Sequence, residues 1–247
     1  GTPCDTSVKE AITALQEAGQ KVMFYPFILM DQLAGNGLFD PYSGDQDQPA
    51  LPWRGRITLD RSPTMVNSVD GSVLANDQVD AFFGTAQVAD FAISDMSDVI
   101  YSGAPDWGYR RFILHYAMLC AAAGGVDSFC IGSEMRGLTQ IRGKNNGFPA
   151  VDHLITLARD VREILGPDTK ISYAADWSEY FGYNSPQGDR YFHLDPLWAC
   201  RDIDFIGIDN YMPVSDWRDG DQHLDHDWGS IYNTDYLKSN VMGGEGY

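Results

Sequence analysis

Four carboxylates stand at or near the ends of four short apolar stretches of this 247-residue sequence: Asp31, Glu134, Asp176 and Asp209. Carboxylates can act as general acids, bases or nucleophiles, and they can bind metal ions or hydroxyl groups. The carboxyl ends of parallel strands share one edge of a sheet. Four such endings therefore predict a single rim of polar groups above a parallel sheet.

Glu134 follows an apolar run, Phe129–Ile131, and the small residues Gly132 and Ser133. Such a short apolar run is typical of a buried parallel strand, and the small residues allow the chain to turn without bulk. Glu134 is then delivered at the carboxyl end of that strand. A second interpretation is purely structural, since a carboxylate at the start of the next helix favours the helix dipole. This stretch alone leaves both interpretations open.

Aromatic residues accompany three of the four endings, as in Asp176–Trp177 and Asp209–Asn210–Tyr211. The C–H faces of sugar rings stack on aromatic planes, and Asp and Asn bind sugar hydroxyls. The pattern therefore favours carbohydrate over phosphate as the ligand. Clustered carboxylates could also hold a metal ion, but no His accompanies these endings, and we expect neither a metal nor a cofactor.

The chain is strongly acidic, with 35 Asp and Glu against 17 Lys and Arg and a formal charge of −18. Such a field repels phosphate backbones, which argues against nucleic acid as the main partner. No apolar run approaches the roughly 20 residues of a membrane span. The start of this chain lacks the basic and apolar regions of a signal peptide, so none is expected in it. The four cysteines show no CxxC spacing.

Apolar stretches and helical patterns alternate along the chain. The strands are predicted at 21–30, 129–131, 170–177 and 204–211, and the main helices at 7–18, 76–91, 107–123 and 151–165. Pro26 predicts a bulge in the first strand, or a strand that ends near Tyr25. Residues 33–106 form a long insertion, in which Trp53 and Arg54 are expected to pin the loop to the barrel, to contact a ligand, or to do both. The alternation predicts a (β/α) barrel with its site on the carboxyl face.

Long strings of the sequence resemble a known family. They are YPFILMD, PWRGRI, RRFILHYAMLCAAAGGVDSFCIGSEMRGLT, YAADWSEYFGY, HLDPLW and FIGIDNYMPVSDWRDG. These strings are similar to the TIM-barrel-like domain of gene transfer agent and phage tail proteins, which itself resembles retaining glycoside hydrolases of the (β/α)8 clan. The resemblance implies an α/β, (β/α)8 TIM-barrel-like domain over residues 1–247 with an insertion at 33–106. The barrel is expected to be incomplete in this chain, where strands three to six are evident.

The resemblance also implies roles for individual residues. Glu134 takes the place of the general acid/base, and Ser133 stands where the clan commonly has Asn. In a retaining mechanism a second carboxylate about 5–5.5 Å away attacks the anomeric carbon. That nucleophile is expected downstream of this chain, and Glu245 is expected to follow the sixth helix instead. The implied substrate-binding residues are Tyr25, Asp31, Trp53, Arg54, Tyr173, Asp176, Trp177, Asp209, Asn210 and Tyr211.

The function implied is that of a glycoside-hydrolase-like domain of a tail protein, acting on a bacterial cell-wall or surface glycan. The alternative is a catalytically inactive glycan-binding or structural tail module. The protein is expected to be made in the bacterial cytoplasm and to reside in the tail of a phage-like particle. Other tail proteins are the expected partners, together with a second copy bound through exposed sheet edges.

Overall fold

The computed structural model describes residues 4–211 and 213–243. The helices of the described part are α1 (Asp5–Glu17), α2 (Val73–Phe83), α3 (Tyr109–Ala122), α4 (Arg136–Thr139), α5 (Pro149–Leu165), α6 (Asp195–Trp198) and α7 (Thr234–Gly243). The strands are β1 (Met23–Phe24), β2 (Phe91–Ile93), β3 (Val99–Tyr101), β4 (Ser128–Ser133), β5 (Lys170–Asp176), β6 (Tyr183–Asn184), β7 (Arg190–Tyr191) and β8 (Gly207–Asp209). Short 3-10 helices cover Arg54–Arg56, Val88–Asp90, Lys144–Asn146 and His226–Trp228.

The central sheet has four parallel strands in the order β1-β4-β5-β8. Each strand therefore pairs with the one that precedes or follows it among these four along the chain. The α/β class and the four parallel strands predicted from the sequence are confirmed. β4 and β5 are the inner strands, and nearly all of their residues are buried, as expected for a parallel sheet covered by helices.

The two edge strands are shorter than predicted. β1 ends at Phe24, so of the two alternatives for Pro26 the early end is observed. Proline has no N–H for the sheet ladder, and the chain leaves the sheet before reaching it. β8 spans only Gly207–Asp209 of the predicted stretch 204–211. Both predicted strands were right in place and wrong in length.

The insertion contains more regular structure than its composition indicated. The helix predicted at 76–91 is wrong in its bounds, because α2 spans Val73–Phe83 and ends at Gly84, which has a φ of +72°. Glycine adopts this left-handed conformation without steric cost and commonly ends helices. Phe91 instead begins β2, which pairs with β3 in an antiparallel hairpin.

Helices α3 and α5 pack on each other and on the sheet. The buried faces include Ile113 and Leu114 of α3 and Leu154 of α5. A buried ion pair between Arg110 and Asp160 joins the two helices. Buried charges are tolerated only when paired, so this contact fixes the register of α3 against α5.

The chain divides into two compact units, 1–209 and 210–247. Within the second unit, Tyr236 of α7 is fully buried among aromatic rings, with ring centroids 5.8 Å from Trp217 and 5.7 Å from Trp228. The Tyr236 hydroxyl lies 2.8 Å from Oδ2 of Asp225. The prediction of one domain over residues 1–247 stays a prediction.

Candidate functional site

Three of the four carboxylates stand at the carboxyl ends of neighbouring parallel strands. Glu134 directly follows β4, Asp176 ends β5 and Asp209 ends β8. Asp176 and Asp209 are register partners, and the N–H of Glu134 donates to the carbonyl of Ala174 at 2.9 Å. The sheet therefore places these carboxylates along the edge that the sequence predicted.

The end of β4 is sterically demanding. Glu134 has a φ of +49°, which is uncommon for a residue with a side chain. A Cβ on Gly132 would lie 2.6 Å from the Tyr109 hydroxyl and 2.9 Å from Cε of Met135. The Tyr109 hydroxyl donates to the carbonyl of Ile131 at 3.0 Å. Glycine is thus needed at position 132 for the chain to pass this tyrosine.

The carboxylate of Glu134 is buried, and within the described residues only one of its two oxygens has hydrogen-bond partners. Its Oε2 accepts the indole N–H of Trp53 at 2.8 Å and lies 2.9 Å from Nη2 of Arg54. Its Oε1 is also buried and has no hydrogen-bond partner within residues 4–211 and 213–243. The carboxylate is committed to Trp53 and Arg54, and the following helix α4 has no side-chain cap. The helix-cap interpretation of Glu134 is therefore not supported.

Arg54 fixes the insertion loop to the end of β4. Its Nε donates to the carbonyl and to the hydroxyl of Ser133, at 3.1 and 2.9 Å, and its guanidinium lies 4.7 Å from the ring centre of Phe27. The Ser133 hydroxyl thus accepts a hydrogen bond from Arg54 in this structure. The side chains of Trp53 and Arg54 therefore fix the loop to the end of β4, in agreement with one of the two interpretations. Contact with a ligand stays a prediction.

Tyr25 connects the start of the sheet to its far edge. Its hydroxyl donates to Oδ2 of Asp209. Burial, followed by this bond to a carboxylate, raises the pKa of Tyr25, so its hydroxyl remains a donor. β1 and β8 are the two outer strands of the sheet. A residue after β1 and one at the end of β8 meet only if the ends of the sheet curve toward each other, as in part of a barrel.

Asp176 organises the turn that follows β5. Its Oδ1 accepts the backbone N–H of Ser178 at 2.9 Å and also the Ser178 hydroxyl. The backbone N–H of Trp177 donates to the carbonyl of Asp209 at 3.1 Å. The turn after β5 is therefore tied to the end of β8.

The sequence analysis missed a buried carboxylate, Glu179, which is 0% exposed. Its neighbours are the hydroxyls of Tyr173 and Thr139 and the N–H of Asp176. Burial raises the pKa of Glu179 to about 7. Burial also lowers the pKa of His193 to about 4, and its Nε2 lies 3.3 Å from Oγ1 of Thr139. The string DWSEYF placed Glu179 only three residues beyond a strand end, which was the available signal.

The remaining predicted residues lie in other settings. Tyr173 is fully buried inside β5, and its hydroxyl accepts the N–H of Met135 at 2.9 Å. Asp31 is exposed and makes no hydrogen bond or ion pair within the part of the chain that the structure describes. Asn210 and Tyr211 begin the second unit, where Tyr211 is 68% exposed. Glu245 lies outside the described residues.

The described ranges, 4–211 and 213–243, contain no group of three or more His, Cys, Asp or Glu side chains able to hold a metal ion. Over the same ranges, no helix combines the length and the apolar character that crossing a bilayer would require.

Comparison with known proteins gives a family match. A family model described as the GTA TIM-barrel-like domain matches residues 107–247, which is more than half of the chain. The matched part includes Glu134, Asp176 and Asp209, whereas Trp53 and Arg54 precede it. No curated protein matches the chain.

Proposed function

Because the chain belongs to the family of GTA TIM-barrel-like domains, we propose that it is a gene transfer agent or phage tail module that binds a glycan at the rim around Glu134. The family indicates a component of a phage-like particle. The site residues, the ligand class and the tail location are the proposal. A bacterial cell-wall or surface glycan is the polymer that such a particle would meet first.

One observation carries the glycan proposal. Trp53 is 40% exposed while its indole N–H is bonded to Glu134, so an aromatic surface adjoins a carboxylate. The Oε1 of that carboxylate is buried without a partner in the described ranges. A buried acceptor without a donor is costly, and a sugar hydroxyl can supply the donor when the loop that carries Trp53 shifts enough to admit it. The ring of the same sugar can stack on Trp53 through its C–H face.

The contacts of Glu134 favour binding over acid catalysis in this geometry. Its Oε2 accepts the indole N–H of Trp53 at 2.8 Å and lies 2.9 Å from Nη2 of Arg54, so both neighbours of this oxygen are hydrogen-bond donors. A general acid must be able to bring a carboxyl oxygen to the leaving group, and here Oε2 is occupied by Trp53 and Arg54. Glu134 is therefore better suited, in this arrangement, to accept hydrogen bonds from a ligand.

Hydrolysis is the second candidate function, and the acidic rim favours it. Asp176 and Asp209 stand at neighbouring strand ends, and Glu134 holds the place of the acid/base in the glycoside hydrolase resemblance. Retaining chemistry needs a nucleophilic carboxylate about 5–5.5 Å from the acid/base. Within the described ranges no hydrogen bond connects Glu134 to another carboxyl group. For acid catalysis, the Arg54 guanidinium would have to move away from Glu134.

For partners we propose other tail proteins and a second copy of this chain. β1 and β8 have strand neighbours on one side only within the described sheet. Apolar side chains next to these edges are exposed, including Met23, Ile206 and Ile208. Unpaired strand edges readily accept another strand. Light scattering of the purified chain tests the second copy, and a strictly monomeric protein at high concentration contradicts it.

The glycan proposal is tested by calorimetric titration with chitotetraose and by co-sedimentation with purified peptidoglycan sacculi. Trp53→Ala removes both the ring and the N–H, and should weaken binding roughly tenfold or more. Trp53→Phe keeps an aromatic face but loses the bond to Glu134, and should weaken binding less. Glu134→Gln keeps the shape and removes the charge.

The control is Glu163→Gln, on helix α5. Glycan binding that is unchanged in Trp53→Ala and Glu134→Gln contradicts the proposed site. Absence of binding to both ligands by the unmodified protein contradicts glycan recognition for these ligands. Release of shorter sugars from chitotetraose, lost in Glu134→Gln and kept in Glu163→Gln, would support hydrolysis.

A further inference from the structure

Glu179 connects the two turns that carry Glu134 and Asp176. Its Oε2 accepts the backbone N–H of Asp176 at 3.1 Å. Its Oε1 lies 3.0 Å from the Tyr173 hydroxyl, which accepts the backbone N–H of Met135 at 2.9 Å. Met135 directly follows Glu134. One buried carboxyl group is therefore linked to the backbone at both rim positions.

A third contact ties the helix after Glu134 to the same group. Oγ1 of Thr139, the last residue of α4, lies 2.5 Å from Oε1 of Glu179. The Thr139 hydroxyl is also 3.3 Å from Nε2 of His193, which is buried. Glu179 itself is 0% exposed, so a ligand at the rim cannot touch it directly. Any effect of Glu179 on a ligand must pass through the residues that it holds.

We propose that Glu179 is the positioning residue of the rim, which orients Glu134 and Asp176 toward one ligand through the hydrogen bonds to Tyr173, Thr139 and the Asp176 backbone. The part of this proposal that concerns a ligand rests on the proposed glycan-binding function. The part that concerns the geometry of the rim does not, and it is tested separately.

The chemistry of the Glu179 carboxyl group determines which variants are informative. Burial favours the protonated carboxyl of Glu179, and a glutamine has nearly the same shape and hydrogen-bonding groups. In Glu179→Gln the amide oxygen can accept the Asp176 N–H while the amide nitrogen donates to Thr139. Glu179→Leu has a similar size and fills the same space, but makes none of these bonds.

The experiment follows the indole N–H resonances of two tryptophans in two-dimensional ¹H–¹⁵N spectra. Trp53 reports on Glu134 because it donates to that carboxylate, and Trp177 reports on the turn after Asp176. The chain has six tryptophans, so single Trp→Phe variants assign the resonances. Trp107, which is 85% exposed, is the internal reference. The spectra are recorded well below the melting temperature of each variant.

The expected result is that Glu179→Leu shifts or broadens the Trp53 and Trp177 resonances, and that Glu179→Gln leaves both near their original positions. Asp160→Asn is the matched control, because Asp160 is a buried carboxylate whose partner, Arg110, lies in α3. It should lower stability without moving either resonance. Unchanged resonances in Glu179→Leu overturn the proposal, and so do equal shifts in Asp160→Asn or in both Glu179 variants.

A second measurement addresses the ligand. If the unmodified protein binds chitotetraose, Glu179→Leu should weaken binding roughly tenfold, with Glu179→Gln close to the unmodified protein. An affinity equal to the unmodified protein in Glu179→Leu overturns the ligand part of the proposal. If the unmodified protein binds no glycan, the proposed function fails while the tryptophan resonances still decide whether Glu179 positions the rim.

Discussion

Arg54 and Glu134 form a largely buried ion pair across 80 residues of sequence, with Nη2 2.9 Å from Oε2 and side chains 16% and 5% exposed. The pair joins the insertion loop to the end of β4. Burying two charges costs hydration energy, which is recovered only while each charge keeps its partner. The loop and the strand end are consequently held as one unit, and this relationship leads directly to a stability prediction.

Arg54→Ala should lower the free energy of unfolding by about 3–5 kcal/mol, because it leaves the Glu134 carboxylate buried without its cation. Arg54→Ala/Glu134→Gln should lose less than the sum of the single changes, since it also removes the unpaired charge. Chemical denaturation of the single and double variants measures both effects.

The control for Arg54→Ala is Lys238→Ala. Lys238 pairs with Asp235 at 3.5 Å, and the two side chains are 72% and 79% exposed. An exposed pair should contribute about 1 kcal/mol or less. Equal losses for Arg54→Ala and Lys238→Ala would show that the pair at the rim is not buried in solution.

Gly132→Ala should destabilise the protein by about 1–3 kcal/mol, because the new methyl group would overlap the Tyr109 hydroxyl. Adding Tyr109→Phe should recover part of the loss. Gly147→Ala is the control, since its Cβ would meet only the Lys144 carbonyl at 3.7 Å. Thermal unfolding of the four proteins measures this. A Gly132→Ala protein as stable as Gly147→Ala contradicts the proposed steric conflict.

Glu179 and His193 should give opposite pH dependences of stability. The pKa of Glu179 is raised to about 7, so its contribution is complete below the ordinary Glu pKa and is lost as the pH rises toward 7. The pKa of His193 is lowered to about 4, so its contribution is complete above the ordinary His pKa and is lost as the pH falls toward 4. Tyr173 and Asp176 face Glu179, and Arg136 acts on His193.

In the unmodified protein these two effects should nearly cancel between pH about 4.5 and 6.5. Glu179→Gln should expose the His193 effect, with stability rising by roughly 3 kcal/mol as the pH increases over this range. His193→Gln should expose the opposite trend. Denaturation curves across the pH range measure the slopes, and parallel slopes in the two variants would refute the assignment.

The rim should discriminate against anionic glycans. The chain carries a formal charge of −18, and Glu134, Asp176 and Asp209 lie along the rim. Oligogalacturonate should therefore bind more weakly than chitotetraose, and the difference should shrink as salt screens the charges. Titrations of both oligosaccharides at two salt concentrations test this. Tighter binding of oligogalacturonate at low salt would contradict it.

Much of the fold followed from local patterns in the sequence. Apolar runs that end in Glu134, Asp176 and Asp209 placed three parallel strands, because strand burial and the carboxyl-end rule depend on nearby residues. The first strand was overextended because its apolar residues continue past Phe24, where pairing stops. The apolar character of a run does not show where its hydrogen-bond partners end.

The contacts that build the site were less accessible from the sequence. Trp53 and Glu134 are 81 residues apart, and nothing local indicates that an indole N–H meets that carboxylate. Glu179 was missed because a charged residue near a strand end is usually solvated, whereas here the turn after β5 carries it into the core. Its partners come from α4 and β5, which only the folded chain brings together.

The order of the central strands has a consequence for how the protein is made. Because β1, β4, β5 and β8 pair in the order in which they leave the ribosome, each can dock on a strand that is already synthesised. The loop that carries Trp53 and Arg54 must wait, since its carboxylate partner emerges about 80 residues later. During synthesis the rim is thus completed late, when a loop that was made early binds the end of a strand that is made later.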